Sequence, residues 1–275
     1  MGAGIRIQPC RVNWTAGWAC ALLVAAGCDL QTPAGKGGGS AEGPGGRQQP
    51  LALNPRQELS LGREAYDQVS KEYRGKILPK DSRETERVRR IMARIAKAAE
   101  IEPLQREIGL RIRGYVFEWE ANVVREEQVN AFCLPGGKVF VFTGILPVAG
   151  DSDDQLAAVV SHEIAHALAH HSSERLAREQ GGEGTFGKLR YDRMQESEAD
   201  HVGVFLMAFA DYNPDDAVRF WQRMRQAAGG RGRPPEILSD HPSDERRVRD
   251  LQEWAPKAKA AKKAFDQGRI APSGR

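Results

Sequence analysis

The stretch Ser161-His162-Glu163-Ile164-Ala165-His166, set inside the apolar run from Leu156 to Leu168, decides how the rest of the chain is read. Two histidines four positions apart on a helix point the same way, about 5–6 Å apart at Cβ. Both imidazoles can then hold one Zn²⁺, with Glu163 beside them to take a proton from water that the metal acidifies. Zn²⁺ is redox-inert, so the spacing points to hydrolysis and away from electron transfer. The pattern is short, and a catalytic zinc needs a third protein ligand that the stretch does not contain.

The chain has 275 residues, 40% of them hydrophobic, and a net charge of +3. That length suggests one or two domains, and the apolar content suffices for one sizeable core. The charge is slight and no basic stripe with interleaved aromatics occurs, so nucleic acid is not an expected partner. The four cysteines, at positions 10, 20, 28 and 133, show no CxxC spacing. A disulfide framework or a thiolate zinc knuckle is therefore not expected, and Cys133 reads as a small buried hydrophobe in a strand.

Residues 1–28 read as an export segment. Arg6 and Arg11 give a positive start, Trp14 to Ala26 an apolar middle, and Ala25-Ala26-Gly27-Cys28 a small-residue end. The apolar part is too short and too interrupted for a spanning helix. Small residues ending in Cys resemble a bacterial lipoprotein box, which makes Cys28 the expected lipidation site and membrane anchor. A plain cleaved signal or an uncleaved anchor are the alternatives. The lipid reading places the chain in a bacterial cell envelope, facing the periplasm or the exterior. Residues 29–54 are rich in Gly and Pro and read as a flexible tether, about 25 Å in r.m.s. span over its roughly twenty most flexible residues.

Residues 55–255 carry the pattern of one α+β domain, mostly helical with a small antiparallel hairpin. Arg56 to Lys71 and the segment after Ser82 have helical spacing. Strand-like segments follow, at Leu110 to Ile112, Tyr115 to Trp119 and Ala121 to Val124. Val129 to Leu134 and Lys138 to Thr143 flank Pro135-Gly136-Gly137 and read as a hairpin. The zinc helix is expected from about Asp153 to Ala177, followed by a glycine-rich mobile loop at 180–187. Further helices are expected from Tyr191, from Asp215 and from Ser243 or Asp244 to Trp254. Residues 256–275, with Lys257, Lys259, Lys262 and Lys263, read as a basic frayed tail.

For the third ligand, Glu196 in Gln195-Glu196-Ser197-Glu198-Ala199-Asp200 is the best candidate, since a carboxylate from a second helix can complete a tetrahedral site. Asp200, one turn on, could accept a hydrogen bond from a ligand imidazole and set its tautomer. The same acids could instead form an exposed helix face. His170 and His171 are expected to face solvent or to support the ligands from behind.

His162-Glu163-Ile164-Ala165-His166 followed by Glu196-Ser197-Glu198-Ala199-Asp200 resembles the M48 family of zinc metallopeptidases. These are gluzincins, among them bacterial envelope quality-control proteases and an Oma1-like group. Asn130 to Gly137 with Thr143-Gly144 resembles that family's hairpin before the zinc helix. Asp211-Tyr212-Asn213-Pro214 and Asp240-His241-Pro242 resemble its two later turns, and Arg247 falls where it has an arginine. The resemblance implies a zincin-like fold and one Zn²⁺ per chain. It makes His162, His166 and Glu196 the ligands, Glu163 the general base, and Asp200 and Arg247 their supports. His241 is left with three readings: a donor to the oxyanion, a plug on the open metal position, or no role. The strand from Lys138 through Val139, Phe140 and Val141 to Phe142 is expected to offer the cleft an edge, to which an extended substrate adds. The expected activity is endopeptidase action on unfolded or misassembled envelope proteins, with a chaperone using the same cleft as the alternative.

Overall fold

The computed structural model describes residues 40–42, 44–182, 185–228, 237–241 and 245–269. The export segment, Cys28, the middle of the glycine-rich loop and the caps at Ser243 and Asp244 lie outside them. No helix among the described residues is long and apolar enough to cross a membrane.

The domain begins before its expected start. β1 (Ser40–Glu42) and β2 (Gln48–Pro50) pair antiparallel, Gln49 and Leu51 are buried, and Ala52 N–H donates to the Ser173 carbonyl at 3.2 Å. The tether read for residues 29–54 thus gives way to packed structure from Ser40 onward. Glycine content hid this, because what holds the hairpin is contact with residues more than a hundred positions away.

α1 (Pro55–Glu72) is started by Asn54, whose Oδ1 accepts from the backbone N–H of Arg56 and Gln57 at 3.0 Å each. Gln57 Oε1 returns the favour to the Asn54 N–H at 3.0 Å, a reciprocal cap that satisfies otherwise orphaned donors. Ser82 caps α2 (Arg83–Ala99), which buries Val88, Ile91, Ile95 and Ala99 along one stripe. α3 (Glu102–Glu107) is one short turn past it. Leu110 to Ile112 and Tyr115 to Trp119 are not strands: they form an irregular segment that brings Phe117 and Trp119 against the core and Tyr115 onto His170.

The sheet contains β3 (Glu120–Val124), β4 (Ala131–Leu134) and β5 (Lys138–Phe142) in the order β3-β5-β4. The expected hairpin is present, since β4 and β5 run antiparallel with Phe132 opposite Phe140. The sheet is nevertheless mixed, because β3 pairs parallel to β5. β5 is therefore central, and Val139, Phe140, Val141 and Phe142 are buried on both faces. That corrects the substrate-strand reading of Lys138 to Phe142. A strand hydrogen-bonded on both sides has no edge to lend, and its unbroken apolar run is the signature of burial on both faces. Lys138, at its mouth, is engaged by Glu120. α1 seats this hairpin through Gly62, where a Cβ would come within 1.7 Å of the Pro135 carbonyl oxygen.

After α4 (Leu146–Ala149), α5 (Asp153–Leu168) carries the histidine pair. Ser152 Oγ caps it at the Gln155 N–H, and Asp153 and Asp154 suit its positive end. The helix expected to run to Ala177 is two helices. His170 takes the left-handed conformation (φ 56°, ψ 31°) and α6 (His171–Gln180) restarts beyond it. α7 (Thr185–Phe209) crosses α5 closely enough that a Cβ on Gly203 would meet the His162 nitrogen at 3.2 Å. α8 (Asp215–Ala228), α9 (Ile237–Asp240) and α10 (Glu245–Asp266) close the domain. α10 passes straight through Pro256, so the tail read for 256–275 is helical to Asp266. An internal Pro costs a helix about 3 kcal/mol. Burial of Ala255 and Ala258, and the Phe209–Phe265 ring pair at 5.4 Å, oppose that cost.

Candidate metal centre

The close crossing of α5 and α7 brings three donor atoms to one point. His162 Nε2 lies 3.1 Å from His166 Nε2, and Glu196 places one carboxylate oxygen 3.3 Å from the first and the other 3.4 Å from the second. Four-residue spacing on α5 aligns the imidazoles, while Glu196 comes from the first half of α7. Three donors each about 2.0–2.1 Å from a shared tetrahedral ion stand roughly 3.3 Å apart, so the observed triangle fits a single Zn²⁺-sized cation.

The protons agree with this. His162 Nδ1 is 2.9 Å from Asp200 Oδ1, and a carboxylate only accepts, so the ring's proton sits on that side. In the neutral ring the Nε2 lone pair is then turned toward the other donors. Burial and the Arg247 guanidinium oppose a charge on His162, but Asp200 and Glu196 outweigh them and raise its pKa to about 9. The surroundings thus favour positive charge where the donors converge. Burial also opposes the Glu196 carboxylate, yet His241 and His166 hold it well below the usual carboxylate range. His166 is pushed well below the usual imidazole range, chiefly by burial, and stays neutral.

Glu163 stands beside the donors with its side chain buried, and its Oε1 has no hydrogen-bond partner among the described residues. Burial pushes its carboxyl upward, against the pull of His241 and His162. His241, at the end of α9, places Nδ1 3.2 Å from His162 Nε2 and 2.9 Å from Glu196 Oε2. Its Nε2 is 3.5 Å from Glu163 Oε1. The four side chains His162, His166, Glu196 and His241 all have donor atoms within 4.8 Å of one another.

Arg247 on α10 binds this cluster to the last helix. Its Nη2 donates to Asp200 Oδ1 at 2.7 Å, its Nη1 lies 3.5 Å from Glu196, and its guanidinium carbon sits 3.3 Å from the Trp221 ring centre. Of the residues singled out for the site, His162, Glu163, His166, Glu196, Asp200, His241 and Arg247 therefore meet at one place. The exception is the strand Lys138 to Phe142, whose role as the free edge falls to β4. Among the described residues no strand pairs with the outer side of β4, and β4 packs against α5.

Of the two places expected for His170 and His171, facing solvent or behind the ligands, both rings are buried and His171 stands behind His166. His171 Nδ1 lies 2.8 Å from His166 Nδ1, and its Nε2 lies 3.2 Å from Glu198 Oε2. On one continuous helix, position 171 would project well away from 166. The left-handed turn at His170 swings it back. His170 is held in that turn by Glu58 Oε1 at 3.0 Å and by stacking on Tyr115 at 3.6 Å. Adjacent histidines near a helix end were the available signal, and only the break gives it meaning.

Residues 82–186 and 182–255 match the profile described as Peptidase family M48. The mitochondrial metalloendopeptidase OMA1 of Schizosaccharomyces pombe is 35% identical over 230 residues, which are 76% of this chain and 64% of the relative. The human mitochondrial metalloendopeptidase OMA1 is 32% identical over 174 residues, 51% of this chain and 33% of its own. The beta-barrel assembly-enhancing protease of Escherichia coli K12 is 24% identical over 164 residues, 48% and 34% respectively. The chain thus spans less than two thirds of the length of each of these relatives.

Proposed function

Because the chain belongs to peptidase family M48, we propose that it is a zinc-dependent endopeptidase with His162, His166 and Glu196 as the metal's ligands. The observation that carries this is the 3.1–3.4 Å triangle of donor atoms, with a buried Glu163 oxygen beside it that accepts no hydrogen bond among the described residues. Zn²⁺ held there supplies Lewis acidity, which brings water toward a pKa of about 7 and polarises a peptide carbonyl. Glu163 takes the proton as water attacks, and returns it to the leaving amine. Asp200 and Arg247 keep the His162 ring turned toward the site.

β4 is the strand to which substrate adds. Backbone pairing at its outer side carries little sequence preference, which suits unfolded chains. We take the substrates to be misfolded or misassembled proteins of the cell envelope, reached by a chain anchored through a lipid on Cys28. The name of the Escherichia coli relative supports an envelope setting, whereas the OMA1 relatives are mitochondrial by name. The test is digestion of unfolded casein by the full-length chain. A chelator is expected to stop cleavage and one equivalent of Zn²⁺ to restore it; chelator-resistant cleavage, or none under any condition, overturns the reading.

His241 stands at the fourth corner of the donor set, within 3.2 Å of both His162 and Glu196. This favours the plug over the oxyanion donor. His241→Ala is then expected to raise casein turnover, by about tenfold if the latched state is favoured by roughly 1.4 kcal/mol. A fall in turnover of about 10²–10³ would instead identify an oxyanion donor.

A further inference from the structure

The ring of His166 is aimed by a relay that begins on the N-terminal hairpin. Arg47, between β1 and β2, donates from Nη2 to Glu198 Oε2 at 2.8 Å and to Glu174 Oε2 at 2.7 Å. Glu198 in turn faces His171 Nε2, and His171 Nδ1 faces His166 Nδ1. Glu198 only accepts, so His171 carries its proton on Nε2 and offers a lone pair from Nδ1. His166 must then carry its own proton on Nδ1, which leaves the Nε2 lone pair directed at Glu196 and His162. Gln195 Nε2 fixes the backbone of the relay from below, donating to the His171 carbonyl at 3.1 Å. Gln49 Nε2 ties β2 to the same place through Glu174 Oε2 at 2.8 Å. Gln49, His171, Glu174 and Gln195 are all buried.

We propose that Arg47, Glu198 and His171 are positioning residues for the metal centre, making the hairpin that follows the glycine-rich N-terminal stretch part of the site's support. Two metal ligands are thus aimed by two separate devices. Asp200 with Arg247 acts on His162 from the C-terminal helix, and Glu198 with Arg47 acts on His166 through His171 from the N-terminal hairpin. The side of α7 that reaches the metal carries both carboxylates, two residues either side of Glu198: Glu196 toward the donors and Asp200 toward His162. Glu198 turns the other way, to α6 and the hairpin. A displacement of the hairpin removes Arg47 from the half-buried Glu198 and the buried Glu174, and loosens the only partner of His171 Nε2 among the described residues. The metal-binding competence of the fold is thereby linked to the seating of Arg47 and β2 on α6.

This rests on the zinc reading, and the test separates the two. Zn²⁺ affinity of the full chain is measured by competition with a chromophoric chelator, for the parent, Arg47→Met, His171→Leu, His171→Asn and the double variant Arg47→Met/His171→Leu. His171→Leu is expected to weaken Zn²⁺ binding by about 10–100-fold, as loss of a partner that orients a ligand imidazole does. His171→Asn, whose carbonyl can replace the Nδ1 acceptor, should recover most of that loss. Arg47→Met should weaken binding in the parent and add nothing in the His171→Leu background, because it acts through His171. The visible spectrum of the Co²⁺ form should change with His171→Leu and return toward the parent's with His171→Asn. Zn²⁺ affinity unchanged in His171→Leu, or effects of the two substitutions that simply add, overturns the relay. A parent chain that binds no Zn²⁺ overturns the zinc reading itself. Should His171→Leu fail to fold, His171→Asn against Arg47→Met decides: equal losses in both refute the relay.

Discussion

Glu163→Gln is expected to lower peptide hydrolysis by about 10²–10⁴-fold, the usual worth of a general base, while Zn²⁺ remains bound. The substitution keeps the side chain's size and leaves His162, His166 and Glu196 untouched, so it removes only the ability to accept a proton. Stability gives an independent sign. Glu163 is buried and its Oε1 has no hydrogen-bond partner among the described residues. A buried polar atom left unmet costs a fold about 1–3 kcal/mol, and an amide is cheaper to bury than a carboxylate. The variant should therefore melt at the parent's temperature or above it, as expected where a side chain is kept for chemistry at the expense of the fold. Hydrolysis at the parent's rate would remove Glu163 as the base. Loss of Zn²⁺ along with hydrolysis would make it part of the metal's support. The same variant separates the protease from a chaperone that uses this cleft: a chaperone retains its cellular activity, a protease does not.

Arg247→Met is expected to destabilise the metal-free protein by about 3–5 kcal/mol, read as a fall in the denaturant midpoint at constant slope. Arg247 and Asp200 are both buried, and Arg247 is also sandwiched against Trp221 and beside Glu196. Methionine can fill the space over the indole, but it strips the buried Asp200 carboxylate of its guanidinium partner and leaves only the His162 ring beside it. The cost arises from that stranded charge more than from the lost attraction. Replacing Asp200 by Asn in the same chain should accordingly return part of the loss. The pH sign follows from Asp200. Burial tends to raise it, but Arg247 and His162 hold its folded-state pKa below the ordinary 3.8. Its contribution to stability is present above that ordinary value and is lost as pH falls through the lower, folded-state value. In Arg247→Met this acid-side loss should shrink. An unchanged midpoint would mean that the pair offsets its own desolvation and nothing more.

The chemistry of the site was written in single residues at fixed spacing. His162, Glu163 and His166 share one helical turn, and Glu196 and Asp200 share one face of a second helix, so periodicity alone could pair them. Capping follows the same local rule: Ser82 and Ser152 precede acidic first turns, and each accepts the backbone N–H three residues on. Where the reading failed, the deciding partner was remote. Pro256 marks a helix end by local rules, yet α10 continues because Ala258 and Phe265 find a core. Lys138 to Phe142 was a strand as expected, but its place at the centre of the sheet depended on β3 arriving alongside it. The continuous apolar run of Val139 to Phe142 is the sign of that central place, and an isolated hairpin would not need it.

The sequence by itself thus pointed to the candidate ligands, the candidate base and the helical character of the domain, because His162, Glu163 and His166 lie within about a turn of each other and Glu196 and Asp200 lie one turn apart on a second helix. Tertiary structure alone decided three things. It placed the free strand edge on β4, it brought His241 to the fourth corner of the donor set, and it linked Arg47 to His166 across more than a hundred residues. These are consequences of which surfaces pack, and packing is settled by the whole core: the close crossing at Gly203 and the left-handed turn at His170 each move a side chain onto a partner that no local spacing predicts.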